Sequence, residues 1–157
     1  MRIFVVTLLL VFLAIPVRGE TADYLDPHEA FQLWTGCEPV GLYVILDMDD
    51  TEIDLTEEEI ERAARSRLRS ARLYDKEAEA LNLFVIVNVF DVAFTTDVEF
   101  EKSLSDLRFS EEEWWGVTWA TGYIGVHGDL SNYILSAVSQ SMDEFLDDYL
   151  RVNADSC

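Results

Sequence analysis

Three apolar, β-prone segments follow one another with little chain between them, and nothing else narrows the possible folds as much. Leu83-Phe84-Val85-Ile86-Val87-Asn88-Val89-Phe90 reads as a core strand. Phe94, Thr96, Val98, Phe100, Lys102 and Leu104 then alternate with Thr95, Asp97, Glu99, Glu101 and Ser103. That is the period of a strand with one acidic, solvated face. After a turn from Asp106 to Glu113, Trp115, Val117, Trp119, Thr121 and Tyr123 alternate with smaller residues in a further strand. Parallel neighbours need a crossover of about a dozen residues or more, whereas short links join antiparallel neighbours. The three segments are therefore predicted to form an antiparallel meander. Trp115 and Trp119 are expected in the core, and Trp114, pointing the other way, is expected at the surface as a contact residue.

Upstream, Val40 to Met48 is apolar and β-prone, a first strand, and Asp47 to Asp54 is an acidic turn. Thr56-Glu57-Glu58-Glu59 is a capping box, in which the Thr56 hydroxyl accepts from the Glu59 amide and the Glu59 carboxylate reaches back, with Leu55 and Ile60 as a hydrophobic staple. Ile60, Ala63, Ala64, Leu68 and Ala71 recur at helical spacing, with acids in the first turn and arginines in the later ones. This predicts a helix from Thr56 to about Tyr74. Near the other end, Gly125 to Gly128 reads as a loop, after which Asp129 or Ser131 is expected to cap a last helix whose apolar stripe is Ile134, Ala137, Val138, Phe145, Tyr149 and Leu150.

The order β-α-β-β-β-α predicts an α+β fold, a two-layer sandwich with a mostly antiparallel four-stranded sheet and two helices on one face. Residues 37–157 are assigned to this single domain and 20–36 to a lead-in. Within the lead-in, Asp26-Pro27 disfavours helix before it and His28 to Trp34 can form one short helix.

The first nineteen residues read as an address. Arg2 precedes the thirteen-residue run Ile3 to Ile15, whose one polar member is Thr7, and Pro16 and Val17-Arg18-Gly19 follow. This is the layout of a secretory signal peptide, and the run is shorter than the roughly 20 apolar residues that span a membrane. No later segment is apolar enough to span as a helix, so the mature chain is expected to have no membrane span and to be periplasmic or secreted. The whole chain carries 31 acidic and 11 basic side chains, a net charge of -20. Cleavage before Glu20 would remove two arginines and no acid, leaving -22. Half the residues are apolar, which excludes a disordered acidic tail, and the charge argues against a nucleic-acid partner, because phosphate needs a concentrated basic surface. Cys37 and Cys157 are the only cysteines, and in an exported chain their expected state is a disulfide.

Several groupings invite a chemical reading. Asp47-Met48-Asp49-Asp50-Thr51, at the end of an apolar strand, resembles the D-x-D-x-T signature of haloacid-dehalogenase-like phosphatases. The resemblance implies Asp47 as nucleophile and magnesium ligand, Asp49 as general acid/base, Thr95 or Thr96 as phosphate-binding hydroxyl, Lys102 as charge-stabilising lysine and Asp129 as late metal ligand. The late motif lacks a second aspartate, since Asn132 and Tyr133 stand there, and that family's sheet is parallel. An acidic turn into a capped helix accounts for the same residues. As a calcium loop the segment carries Glu52 where glycine is required. His28 and His127, the only histidines, have no zinc spacing. No organic cofactor or dedicated metal site is expected.

The helix from Thr56 holds five arginines, of which Arg62, Arg65, Arg69 and Arg72 follow at spacings of three, four and three. They form a candidate stripe for an anion or a partner, or else neutralise the protein's own acids. Arg67 to Tyr74, the ending Tyr149 to Asn153 and the terminal cysteine resemble features of uncharacterised exported bacterial proteins. The element order over residues 40–151 is similar to a group of envelope domains: the amino-terminal domain of TolB, the curli-secretion lipoprotein and the activator lipoproteins of penicillin-binding proteins. The resemblance implies a non-enzymatic adaptor that binds a protein or envelope polymer through the open sheet face or the arginine-rich helix.

Overall fold

The structure is a computed structural model that describes residues 26–49, 52–105, 113–128 and 130–157. The expected signal segment lies outside the described residues. The element order is α1 (Pro27–Leu33), β1 (Gly41–Met48), α2 (Glu57–Ser70), β2 (Leu81–Val89), β3 (Ala93–Ser105), β4 (Glu113–Val126) and α3 (Ser131–Val152). The four strands lie in one sheet in sequence order.

The β2–β3–β4 meander is antiparallel throughout, in keeping with the short links. β1 is the exception, since it pairs with β2 in parallel, Leu42 opposite Leu83 and Leu46 opposite Val87. The sheet is therefore mixed. The cause is α2, which carries the chain from the far end of β1 back to its start and so makes β2 run the same way. Both bonds of the capping box that starts α2 are present: Glu59 N–H donates to Thr56 Oγ1 at 3.3 Å, and Thr56 N–H donates to Glu59 Oε2 at 3.1 Å.

Each strand alternates between two unlike faces. On one, Leu83, Val85, Val87, Val98 and Phe100 are buried beneath α2 and α3. α2 contributes Ile60, Ala64 and Leu68, and α3 contributes Ile134, Val138, Met142, Phe145 and Tyr149. Phe145 anchors an aromatic cluster, its ring 5.5 Å from Phe100, 5.4 Å from Trp119 and 5.4 Å from Tyr149. Among the described residues, no helix packs on the other face.

A third helix corrects the two-helix count. α1 forms within the lead-in because Asp26 caps it, its carboxylate accepting from His28 N–H at 2.7 Å, and because Pro27 suits the first helical turn. α1 joins the layer of α3, against the end of β4. Lys102 Nζ donates to the Phe31 and Trp34 carbonyls, Thr118 Oγ1 donates to the Gln32 carbonyl at 2.7 Å, and Arg151 reaches Glu29 at 2.9 Å.

The fourth strand also departs from expectation. A bulge sets Phe100 opposite Trp119 but Glu101 opposite Val117, so no β3 residue stands opposite Thr118 and the faces exchange. Trp119 is buried as expected. Trp115, expected in the core, lies beyond the bulge on the open face, 49 % exposed. Trp114 is exposed as expected, but beyond the bulge it lies opposite Leu104 on the side of the helices, the reverse of the direction expected for it. β4 also runs on through Gly125, where a loop was expected, because the Phe94 ring lies over that glycine; a Cβ there would sit 2.9 Å from the ring. α3 starts after Leu130, which supplies no side-chain cap, and Asp129 lies outside the described residues.

The two ends of this fold are tied together. Cys37 and Cys157 form a disulfide with Cα atoms 5.2 Å apart. Beside it, Asn153 is buried with every polar atom of its amide in use. Its Oδ1 accepts from the N–H groups of Thr35, Gly36 and Cys37 at 2.9, 3.0 and 3.3 Å, and its Nδ2 donates to the Leu33 and Tyr149 carbonyls at 2.9 Å each. Gly36 and Cys37 both have positive φ, 74° and 67°, the turn that brings these three N–H groups onto one oxygen. The Tyr149 hydroxyl donates to the Glu38 carbonyl at 2.7 Å and hydrogen-bonds the Thr35 hydroxyl.

Burial raises the Tyr149 hydroxyl above its ordinary value, the Thr35 hydrogen bond opposes this, and the charge of Glu38 adds to it. The folded protein thus holds this proton more tightly than the unfolded chain. The resulting stabilisation is complete below the ordinary value of 10.0 and is lost as pH rises through the folded-state value. Alkaline titration of unfolding free energy should therefore fall more steeply above about pH 10 for the natural protein than for Tyr149→Phe, and equal slopes would contradict this.

Candidate functional site

The residues implied by the phosphatase resemblance are not brought to one place. Asp47, the penultimate residue of β1, faces the open side of the sheet opposite Asn88, and Asp49 follows the strand end, its N–H donating to the Val89 carbonyl at 3.0 Å. Thr96 is on the other side, fully buried beneath the helices, with no hydrogen-bond partner for its hydroxyl. Thr95, the other hydroxyl considered, does face the open side and accepts from Asn88 Nδ2 at 3.1 Å. Lys102 lies six residues along β3 from Thr96, roughly 20 Å at strand rise, and points at the end of α1. Burial lowers its pKa. Among the described residues, no group of three or more His, Cys, Asp or Glu side chains is placed to hold a metal ion.

An unpaired hydroxyl in a core costs about 1–3 kcal/mol. Thr96→Val keeps the branched shape and removes that oxygen, so it should stabilise the protein by about 1 kcal/mol in denaturant unfolding. A loss of similar size would show that the hydroxyl has a partner.

The arginine stripe on α2 forms in part. Arg62, Arg65, Ser66, Arg69 and Ser70 line a shallow trough of about 440 Å³ on the outer side of the helix. Arg62 pairs with Glu58 at 3.1 Å, Arg65 pairs with Glu61 at 2.8 Å, and Arg69 lies over the Tyr74 ring at 5.2 Å. Arg67 turns to α3, bonding Asp143 at 2.8 Å and the Ser139 carbonyl at 3.1 Å. Arg72 leaves the stripe. The helix ends at Ser70, and Arg72 takes φ 61° while Leu73 N–H donates to the Leu68 carbonyl at 2.9 Å, which is a Schellman ending. Most of these guanidinium groups are already engaged with the protein's own acids, the neutralising role weighed for them above.

The open sheet face is the larger feature. Tyr43 and Ile45 on β1 are 49 % and 46 % exposed, and on β4 Val117 and Ile124 are 48 % and 81 % exposed. Tyr43 stacks on Phe84 of the neighbouring strand, ring centroids 5.1 Å apart. Exposed apolar side chains scattered singly are ordinary on a protein surface, but a contiguous patch of them marks a contact site. The alternation in β3 foretold an acidic solvated face, while the apolar strands beside it were read as core and their exposed half was missed. Tyr43, Ile45, Phe84 and Ile86 sit in near-continuous apolar runs, which do not show which side is uncovered.

No protein-family model matches the chain. No curated protein matches it. Among solved structures it is similar to rare lipoprotein B from Shewanella oneidensis, with a TM-score of 0.35 and 14 % identity over 71 % of this chain and 96 % of that one. That score is below the level at which two chains share a fold. No helix among the described residues is long and apolar enough to cross a membrane.

Proposed function

We propose that the protein is an exported, non-enzymatic binding domain of the bacterial cell envelope, periplasmic or secreted, that holds a protein or an envelope polymer on its surface as an adaptor does. The observation that carries this reading is the sheet face left without helices, with Tyr43, Ile45 and Ile124 at its surface. Export is supported by the leader-like layout of residues 1–19 and by the Cys37–Cys157 disulfide, a bond that persists in oxidising compartments. The α2 trough is a second, polar surface available to the same partner.

The test is photo-crosslinking in the native envelope from three positions: Ile45 on the open face, Ser66 on α2 and Ser136 on the exposed side of α3. A discrete adduct from Ile45 or Ser66 with none from Ser136 is the expected result. No adduct from either surface, or the same adducts from all three positions, would remove the reading.

A further inference from the structure

The register of the sheet arranges the open face in rows. At one level Tyr43, Phe84, Glu99 and Ala120 stand side by side across the four strands; at the next stand Ile45, Ile86, Asp97 and Gly122. β1 and β2 thus present a two-by-two apolar block. Beside it Asp97, Glu99 and Glu101 form a carboxylate row along β3, spaced roughly 7 Å apart at strand rise. Beyond the row the sheet is shallow, because Ala120 and Gly122 add almost no side chain. Asp97 leans into that space: a Cβ on Gly122 would lie 2.4 Å from its Oδ1. Among the described residues, this face carries no lysine or arginine, and no ion pair engages Asp97, Glu99 or Glu101.

We infer that this face docks a cationic amphipathic segment of a partner protein, with lysine or arginine along one flank and apolar side chains along the other. The inference rests on the binding-domain reading and names the chemistry of its partner. A wholly apolar partner would strip water from three carboxylates and leave them unpaired, which is costly. An anionic polymer or anionic membrane surface is repelled by the same row. A cationic polymer without apolar groups leaves the Tyr43–Phe84 and Ile45–Ile86 block in water. Residues four apart on a helix are separated by about 6 Å along its axis, close to the spacing of the row. A second copy of this chain does not meet the requirement. Its arginine-rich element is α2, whose large apolar residues Ile60 and Leu68 are buried in its own core together with Ala64, leaving only the small, half-buried Ala63 to face the block.

The experiment measures fluorescence anisotropy of a labelled amphipathic helical peptide of leucine and lysine, at physiological ionic strength, with a lysine–serine peptide of equal charge for comparison. The natural protein should bind the leucine–lysine peptide more tightly. The combined variant Asp97→Asn, Glu99→Gln, Glu101→Gln should weaken that binding by about tenfold or more, and Ile45→Ser should weaken it as well. The combined variant Asp54→Asn, Glu57→Gln, Asp147→Asn changes net charge equally on exposed sites outside this face and should leave it within about twofold. Equal weakening by both combined variants, or equal binding of the two peptides, would overturn the inference. So would self-association of the natural chain that the first combined variant abolishes, because the occupant would then be a second copy. If the peptide fails while crosslinking from Ile45 still traps a partner, the face docks something and its cationic class is wrong. If both fail, the binding-domain reading falls with the inference.

Discussion

Replacing Asn153 with alanine is expected to lower the unfolding free energy by about 4 kcal/mol, a large change for one side chain. Alanine removes five hydrogen bonds at once. It leaves without a partner the part-buried N–H groups of Thr35, Gly36 and Cys37 and the buried Leu33 carbonyl. Each stranded group costs roughly 1–3 kcal/mol if water stays out and less where the Gly36 turn opens to solvent. It also releases a turn in which Cys37 sits at positive φ, a conformation a non-glycine residue adopts only under such constraint. Asn153→Asp separates the two halves of the effect, since it keeps an acceptor for the three N–H groups and loses both donors, so it should cost less than alanine. Denaturant unfolding of the oxidised protein is the measurement. A loss below about 1 kcal/mol for alanine would mean that the turn holds its shape without the amide.

Removing the disulfide, by Cys37→Ser with Cys157→Ser or by reduction, should cost roughly 4–5 kcal/mol. The two cysteines are 120 residues apart, and closing so long a loop takes much conformational freedom from the unfolded chain. The folded state should change little, because Asn153, Tyr149 and Arg151 hold the same junction by hydrogen bonds and an ion pair. Circular dichroism of the reduced protein in dilute buffer should therefore match that of the oxidised protein while the unfolding midpoint falls. Both changes act on one junction, so their costs should not add: with the disulfide absent, Asn153→Ala should cost less than in the oxidised protein. Full additivity would show that the two ties are independent.

What could be read in advance follows from the range of each interaction. The capping box closes within four residues, and the alternation of β3 is a local period, so both are written in consecutive letters. The cysteine pairing followed from there being one possible pair. The role of Asn153 could not be read, because its partners Leu33 to Cys37 lie 116–120 residues away and an asparagine after a helix suggests no more than a local cap. Trp115 was misplaced for a similar reason. Its face depends on a one-residue bulge three positions further on, at Thr118, and the nearby Gly116 does not tell a bulge from a regular strand position. Asp47 and Thr96 show the limit for a site. Each suits its proposed role by residue type, but they stand on opposite sides of one sheet, and which side a strand residue takes is decided by what packs against the sheet.

The bond between Cys37 and Cys157 makes everything between them a covalent ring, and a ring transmits force differently from a line. A pull applied between Gly36, just before the ring, and Cys157 runs through two sulfur atoms and bypasses α2, α3 and the sheet. A tether at that corner can therefore bear load while the face carrying Tyr43 and Ile45 stays undeformed. A single backbone cut anywhere within the ring likewise releases no fragment, so a nicked molecule would keep its mass until the disulfide is reduced.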